Sequence, residues 1–322
     1  MVAGAVPDTP VSPPGDGSLA FRHPMKHTLR TLLLAGAFLA GLVSTPASTK
    51  NAVVIQADFG GVVMMGVCYT VSKDLAIFRV QPPLPRHDIE AAARSLHYNS
   101  QVWPEGTAFV SVVDPGVGTA RKSVVLKTGN GYYFVSPDNG SLALVAKEYG
   151  IAGVREIDEK INRRPGTEWS HTFHGRDVYA YTAARLAAGV ITFEQVGPLL
   201  EPKVVPLEYP APTVGNGVAT GMIDDANDDG FGNMTCRIDR HTFARLGLKE
   251  GERVHVVIKD GDKTVYEETV PYAHTFGDVP VGANLLFINS SGFVSMAINQ
   301  GNFSKKYSIG SGRAWTISVR RG

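Results

Sequence analysis

The sequence predicts an α/β N-terminal domain with a mainly parallel sheet, followed by an all-β, barrel-like C-terminal domain. Three observations predict it. Between residues 52 and 188, short β-branched runs alternate with stretches of helical spacing. From 218 to 319 the chain reads as short strands separated by Gly and Asp turns. Between the two, Pro198, Pro202, Pro206, Pro210 and Pro212 fall every two to four residues, the mark of a stiff, extended connector. The expected boundaries are a leader and signal peptide over 1–47, an α/β domain over 48–197, a linker over 198–213 and a barrel over 214–322.

Residues 52–57 (AVVIQA) form a short buried strand that runs into Asp58-Phe59-Gly60-Gly61. Residues 62–71 read as an apolar helix and 75–80 as a strand, after which Pro82, Pro83 and Pro85 make a stiff connection. Residues 88–96 have helical spacing and alanine content. Residues 108–113 are an apolar, β-branched strand that breaks into Asp114-Pro115-Gly116-Val117-Gly118, with Arg121 seven residues after Asp114. A buried strand stopping at a glycine-rich turn is where open α/β sheets place their chemistry. Residues 123–127 and 132–135 pair as a hairpin about Gly129-Asn130-Gly131. Pro137-Asp138-Asn139-Gly140 caps a helix over 141–149. An alanine-rich helix over 178–188 comes after Thr172-Phe173-His174-Gly175-Arg176-Asp177. Alternating strands and helices call for a sheet covered on both faces. The second domain's strands are expected at 218–223, 234–238, 253–259, 264–270, 284–289, 293–298 and 314–319.

Net charge is +1, with acids and bases interspersed, so nothing suggests a phosphate-backbone partner. Several signatures are missing. Gly118-Thr119-Ala120-Arg121-Lys122-Ser123 lacks the Gly-Lys of a P-loop, and Arg121 stands where a G-x-G-x-x-G motif needs its third glycine. There is no G-x-S-x-G elbow. Asp225-Ala226-Asn227-Asp228-Asp229-Gly230 imitates the start of a calcium loop, but its twelfth position is Cys236 rather than glutamate. No Cys/His cluster has zinc spacing, so no metal is expected. Cys68 and Cys236 read as small buried hydrophobes; a disulfide between them would tie the two domains together in an exported protein.

Residues 1–24 are polar and rich in Pro and Gly. Met25 then opens a different pattern: a basic head (Lys26, His27, Arg30), an apolar run over 31–43 and small residues over 44–48. This is the layout of a secretory signal peptide, with cleavage after Ala47. The apolar run is shorter than the roughly 20 residues of a membrane span. A mature chain starting near Ser48, in the periplasm or outside the cell, is expected.

Asp58 and Asp114 are both acids at strand ends. His174 precedes a helix start, where backbone N–H groups favour anions or developing negative charge, and Gly175 lets a ligand approach closely. Phe231-Gly232-Asn233, Ser290-Ser291-Gly292-Phe293 and Asn299-Gln300-Gly301-Asn302 are polar turns. Each alone is hairpin chemistry; as a set they could line one rim of a pocket.

Six motifs in order resemble those of the S-adenosylmethionine hydroxide adenosyltransferase family, hydrolases related to fluorinating and chlorinating enzymes. They are Asp58-Phe59-Gly60, Trp103-Pro104-Glu105-Gly106-Thr107, Val113-Asp114-Pro115-Gly116-Val117-Gly118-Thr119, Pro137-Asp138-Asn139-Gly140, Phe173-His174-Gly175-Arg176-Asp177 and Phe231-Gly232-Asn233. The resemblance implies an α/β domain and a β-barrel assembled as a trimer, with active sites between the N-terminal domain of one subunit and the C-terminal domain of the next. It implies that water or hydroxide attacks C5′ of the ribose, releasing methionine and adenosine, with no cofactor beyond the substrate. Asp114, Arg121 and His174 match the set that holds the water. Asp58, with Phe59 beside it, matches a ribose-binding acid, and Trp103 an aromatic against the ribose. Asn233 would meet the adenine edge; Asp228 and Ser290 would meet the amino acid end of the substrate. The chain departs from the family pattern at Ala57, where threonine is usual, and in the shortened Gly60-Gly61 segment. Two other functions stay in view. Halogenating relatives carry a small hydroxyl residue near the His174 step and lack the Asp–Arg–His set. An exported nucleoside- or sulfonium-binding protein would have no turnover.

Overall fold

The structure is a computed structural model, and it describes residues 51–208, 210–226 and 230–322. The leader and signal peptide expected over 1–47, Asp228 and the middle of the calcium-like stretch lie outside the described residues. The N-terminal part contains, in order, β1 (Ala52–Ala57), α1 (Val62–Val71), β2 (Ala76–Arg79), α2 (Ile89–Asn99), β3 (Ala108–Val112), β4 (Ser123–Thr128), β5 (Tyr133–Pro137), α3 (Ala143–Tyr149), β6 (Ile151–Glu156), α4 (Glu159–Asn162) and α5 (Ala180–Ala187). The strands form one sheet in the order β2-β1-β3-β5-β4-β6. β1 runs parallel to β2 and β3, and β3 parallel to β5, whereas β4 is antiparallel to both β5 and β6.

The apolar strands are explained by burial on both faces. Along β1, Val53 and Ile55 enter a core shared with α1 and α5, while Val54 points the other way. On that second face Val54, Phe109, Leu126 and Phe134 pack with Leu96 of α2 and Val145 of α3. From β1 the chain turns outward to β2; from β3 it turns the opposite way, toward β5 and β4. The carboxyl ends of β1 and β3 therefore flank a crevice, the position at which open α/β sheets bind ligands.

The helix expected at 178–188 begins differently. A π-helical turn over Gly175–Tyr179, closed by the Ala180 N–H on the Gly175 carbonyl, precedes α5. The proline-rich segment does more than connect. Glu156 N–H donates to Pro198 O (3.1 Å) and Leu200 N–H to Val154 O (2.8 Å), so its start covers the open edge of β6.

The C-terminal part contains β7 (Thr213–Gly215), β8 (Val218–Asp225), β9 (Met234–Asp239), α6 (Arg240–Ala244), β10 (Arg253–Asp260), β11 (Lys263–Pro271), β12 (Asn284–Ile288), β13 (Phe293–Ile298), α7 (Phe303–Tyr307) and β14 (Gly312–Arg321). The order is β11-β10-β14-β8-β9-β13-β12, with β7 on β8, and the strand pairs are antiparallel. Ala273 N–H donates to Leu286 O (2.8 Å), bringing the chain after β11 against β12 and nearly closing a barrel. Alternation sets its inside: Met234, Cys236 and Ile238 on β9, and Val254, Val256 and Ile258 on β10, are all fully buried. Cys68 lies in the α/β core and Cys236 in the barrel core, both as free thiols. Burial pushes each thiol up to about 12. Helix α2 faces the barrel through ion pairs. Asp224 of β8 meets Arg237 (2.7 Å) and Arg94 (3.9 Å), and Glu90 meets Arg313 (2.8 Å).

Candidate active site

The loop after β3 is wound tightly. Val117 N–H donates to Asp114 O (3.2 Å) and Thr119 N–H to Gly116 O (3.1 Å). Gly118 sits at φ +79°, and a Cβ on Gly116 would come within 3.3 Å of Thr119 Oγ1 and 3.4 Å of Arg121 Cγ. These turns fold Arg121 back over Asp114. Arg121 Nε donates to Asp114 Oδ1 (2.9 Å) and Nη2 to Asp114 Oδ2 (2.5 Å), a bidentate pair largely shielded from water. Nη2 also lies 3.1 Å from Nδ1 of His174.

His174 arrives from the segment before the π-helical turn. Gly175 makes that approach possible, because a Cβ there would fall 2.9 Å from Val112 Cγ1 and 3.2 Å from Met64 Sδ. Burial lowers the imidazole pKa from 6.5; the cations Arg121 and Arg163 act in the same sense, against the pull of Glu159 and Asp114. A guanidinium has no acceptor, so Nδ1 must supply the lone pair, and the neutral ring carries its proton on Nε2. Burial disfavours the charge of Arg121, yet the hydrogen bond to Asp114 and the surrounding negative charge raise its pKa, keeping it cationic.

A cavity of about 180 Å³ opens beside these groups, lined by Asp58, Phe59, His87, Asp114, Phe173 and His174 among others. Asp58 Oδ2 accepts from His87 N–H (2.9 Å), and His87 takes the left-handed backbone conformation at φ 63°. Phe59 and Phe173 meet edge to face at 5.5 Å. Carboxylates from two adjacent strand ends and a neutral imidazole thus share one cavity, and the Arg121 guanidinium, bonded to both Asp114 and His174, stands behind them. That set can hold a water molecule, orient it and take its proton.

Comparison with known proteins agrees with this architecture. Residues 53–197 match the SAM hydroxide adenosyltransferase N-terminal domain and residues 227–316 its C-terminal domain. A protein of Salinispora tropica named (R)-S-adenosyl-L-methionine hydrolase is 33% identical over 239 residues, covering 73% of this chain and 84% of its own length. A fluorinase from an Actinoplanes species is 27% identical over 277 residues, covering 79% and 91%. A crystal structure of an uncharacterized conserved protein from Thermotoga maritima superposes with a TM-score of 0.74 at 33% identity, over 84% of this chain and 99% of that one. The chain belongs to the SAM hydroxide adenosyltransferase family.

Not every candidate residue of this family member meets at the cavity. Trp103 does not line it. Its indole N–H donates to Asn99 O (2.7 Å), and its ring packs on Phe78 (5.0 Å) and Phe109 (6.3 Å), before the start of β3 rather than at its end. Asn233 and Ser290 belong to barrel turns and do not line it either. The turn carrying Asn233 packs on the start of α7, with Gly232 O accepting from Ser304 N–H (3.0 Å). The turn carrying Ser290 is held by Asn289 Oδ1, which accepts from Ser291 and Phe293 N–H (3.0 Å each). A larger hollow of about 410 Å³ lies elsewhere on the barrel, among Arg253, Glu268, Asn284 and Tyr307, and none of the described candidate residues lines it. Sequence reasoning missed His87, whose proline-rich surroundings read only as a connector. It also missed Ser123 and Tyr179, which touch Arg121 and Asp114 from inside a strand and the π-helical turn.

Proposed function

We propose that this enzyme hydrolyses S-adenosylmethionine to adenosine and methionine by in-line attack of water on C5′ of the ribose. The observation that carries the reading is that Arg121 ties Asp114 to His174, and that these two line one cavity with Asp58. The leaving group is a neutral thioether departing from a sulfonium, so no general acid is needed. The barrier lies in presenting a competent nucleophile behind C5′. His174 donates from Nε2 to the water oxygen, Asp114 accepts a water proton, and the Arg121 charge stabilises the developing hydroxide character. Asp58 accepts from the ribose hydroxyls and Phe59 closes the wall beside them. No cofactor takes part.

The relatives include both hydrolases and fluorinases. Hydrolysis is favoured by Gly175: halogenating relatives carry a small hydroxyl near this step, and here a side chain would run into Val112 and Met64.

In this reading the functional unit is a homotrimer. The α/β domain (48–197) of one subunit faces the barrel (214–322) of the next across its linker (198–213), and Asn233, Ser290 and Asp228 reach the substrate from that neighbour. Support comes from α1, which follows Asp58 and leaves Val62, Val63 and Tyr69 exposed, an apolar helix face suited to burial against another copy. The signal peptide makes the mature enzyme periplasmic or secreted, where S-adenosylmethionine or another 5′-substituted adenosine must reach it from outside the cytoplasm.

The test is to incubate the protein with S-adenosylmethionine and resolve products by chromatography, with and without chloride or fluoride. Stoichiometric adenosine and methionine, with substrate in excess over protein, are expected. A halide-dependent 5′-halo-adenosine would replace hydrolysis with halogenation; binding without product would make the chain a receptor.

A further inference from the structure

We infer that Ser123 and Tyr179 are positioning residues that fix the one orientation of Arg121 able to reach both Asp114 and His174. The inference rests on the hydrolytic reading above and concerns residues outside the Asp–Arg–His set.

A guanidinium can grip a carboxylate in two bidentate ways, side-on through Nε and one Nη, or end-on through both Nη atoms. Arg121 uses the side-on grip, through Nε and Nη2. The end-on grip would turn Nη1 onto Asp114 and re-aim Nη2. What selects between them is the partner of Nη1. Here Nη1 donates to Ser123 Oγ at 2.9 Å, so moving it onto Asp114 would strip that bond. Ser123 is the first residue of β4 and is itself buried, so its hydroxyl is carried by the sheet rather than by the loop.

Tyr179 locks the serine in turn. Its hydroxyl lies 3.1 Å from Ser123 Oγ and 3.5 Å from Asp114 Oδ2, the latter a long contact. Ser123 Oγ accepts from Arg121, so its own proton can go to Tyr179, whose proton can go to Asp114. The four groups Arg121, Ser123, Tyr179 and Asp114 thereby close a ring in which each hydroxyl both accepts and donates. The tyrosine ring is fully buried, and the Arg121 guanidinium carbon stands 5.8 Å from its centroid. Burial pushes the Tyr179 phenol upward, so it stays a neutral donor. With Nε, Nη1 and one edge of Nη2 committed, the remaining Nη2 hydrogen falls on His174 Nδ1. That bond selects the imidazole tautomer that presents Nε2–H, so the serine and tyrosine act on His174 through Arg121.

The experiment compares the full chain with Ser123→Ala, Ser123→Thr, Tyr179→Phe and the double variant Ser123→Ala/Tyr179→Phe, each also placed on Arg121→Lys. Measured are kcat and KM for S-adenosylmethionine, thermal midpoints, and a crystal structure of the double variant. Ser123→Ala and Tyr179→Phe should each lower kcat on the order of 10-fold while leaving KM within about twofold. The double variant should be no worse than about the poorer single one, since both act through one guanidinium, and Ser123→Thr should restore kcat. On Arg121→Lys, which has no Nη1, neither change should cost anything further. The double variant's structure should show Arg121 turned away from His174. An active parent whose variants keep kcat, or whose variants lose the same factor on Arg121→Lys, overturns the inference. A parent that makes no adenosine overturns the hydrolytic reading instead; Arg121 unmoved in the double variant then overturns this one as well.

Discussion

The two rims of the proposed site differ in how complete they are. At the carboxyl ends of β1 and β3, Arg121 bonds to both Asp114 and His174 at 2.5–3.1 Å within a single chain. At the barrel's turns, Asn233 and Ser290 line no part of that cavity. Chemistry that must be aligned to a fraction of an ångström is held by one fold, with its partners buried. Contacts that only recognise a ligand tolerate being supplied across an interface. The first rim should therefore govern kcat and the second KM.

Asp114→Ala tests the first rim most severely. It removes the carboxylate that fixes the guanidinium and that, in the proposed reaction, accepts the water proton, so turnover should fall by about 10³-fold or more. It also leaves Arg121, only 11% exposed, without its counter-charge, and stability should drop by roughly 3–5 kcal/mol. Chromatographic turnover assays and denaturant titration measure the two effects. Near-parental turnover would break the assignment of chemistry to this rim.

His174→Ala should cost about 10²-fold in kcat. The pH profile of the parent sharpens the point. His174 is depressed from 6.5, and its neutral form is the one that accepts from Arg121. Activity should thus stay flat through neutral pH and fall only as acid protonates the ring, with an apparent pKa below 6.5. An acidic limb above 6.5 would mean that the ring works as an imidazolium.

Much of the first rim was legible because it is built from short-range rules. The run over 52–57, and the break from β-branched residues into Asp114-Pro115-Gly116, announce strand ends directly, and β1 and α1 have the bounds that their periodicity predicts. Strand β6 was not legible: Ile151–Glu156 contains a glycine and charged residues, and it is held by β4 on one side and by the linker on the other. The π-helical turn was equally hidden, since Gly175 is needed for contact with Val112 and Met64, which are remote in sequence. Ser123 and Tyr179 look like ordinary sheet and helix residues until the fold sets them against Arg121.

The barrel rim should respond more gently. Asn233→Ala and Ser290→Ala should each raise KM by about 10-fold or less while kcat changes little, the pattern of lost binding rather than lost chemistry. If these residues act from a neighbouring subunit, activity per chain should also fall on dilution as the assembly dissociates. Equal losses of kcat and kcat/KM would erase the proposed division between the two rims, and sedimentation with concentration-dependent assays would separate the cases.

Trp103 gives the smallest expected effect and the sharpest comparison between motif and place. Its motif occurs in family order, yet it stands before β3, whereas Asp114 follows that strand's end. Five residues of strand put about 17 Å between the two positions. The indole already spends its N–H on Asn99 and its ring on Phe78 and Phe109. Trp103→Phe keeps an aromatic in that cluster and loses one hydrogen bond to a backbone carbonyl, so stability should fall by about 1 kcal/mol. KM and kcat should not move. A rise in KM without loss of stability would instead place this tryptophan against the substrate of another subunit, because its own cavity lies at the far end of the strand.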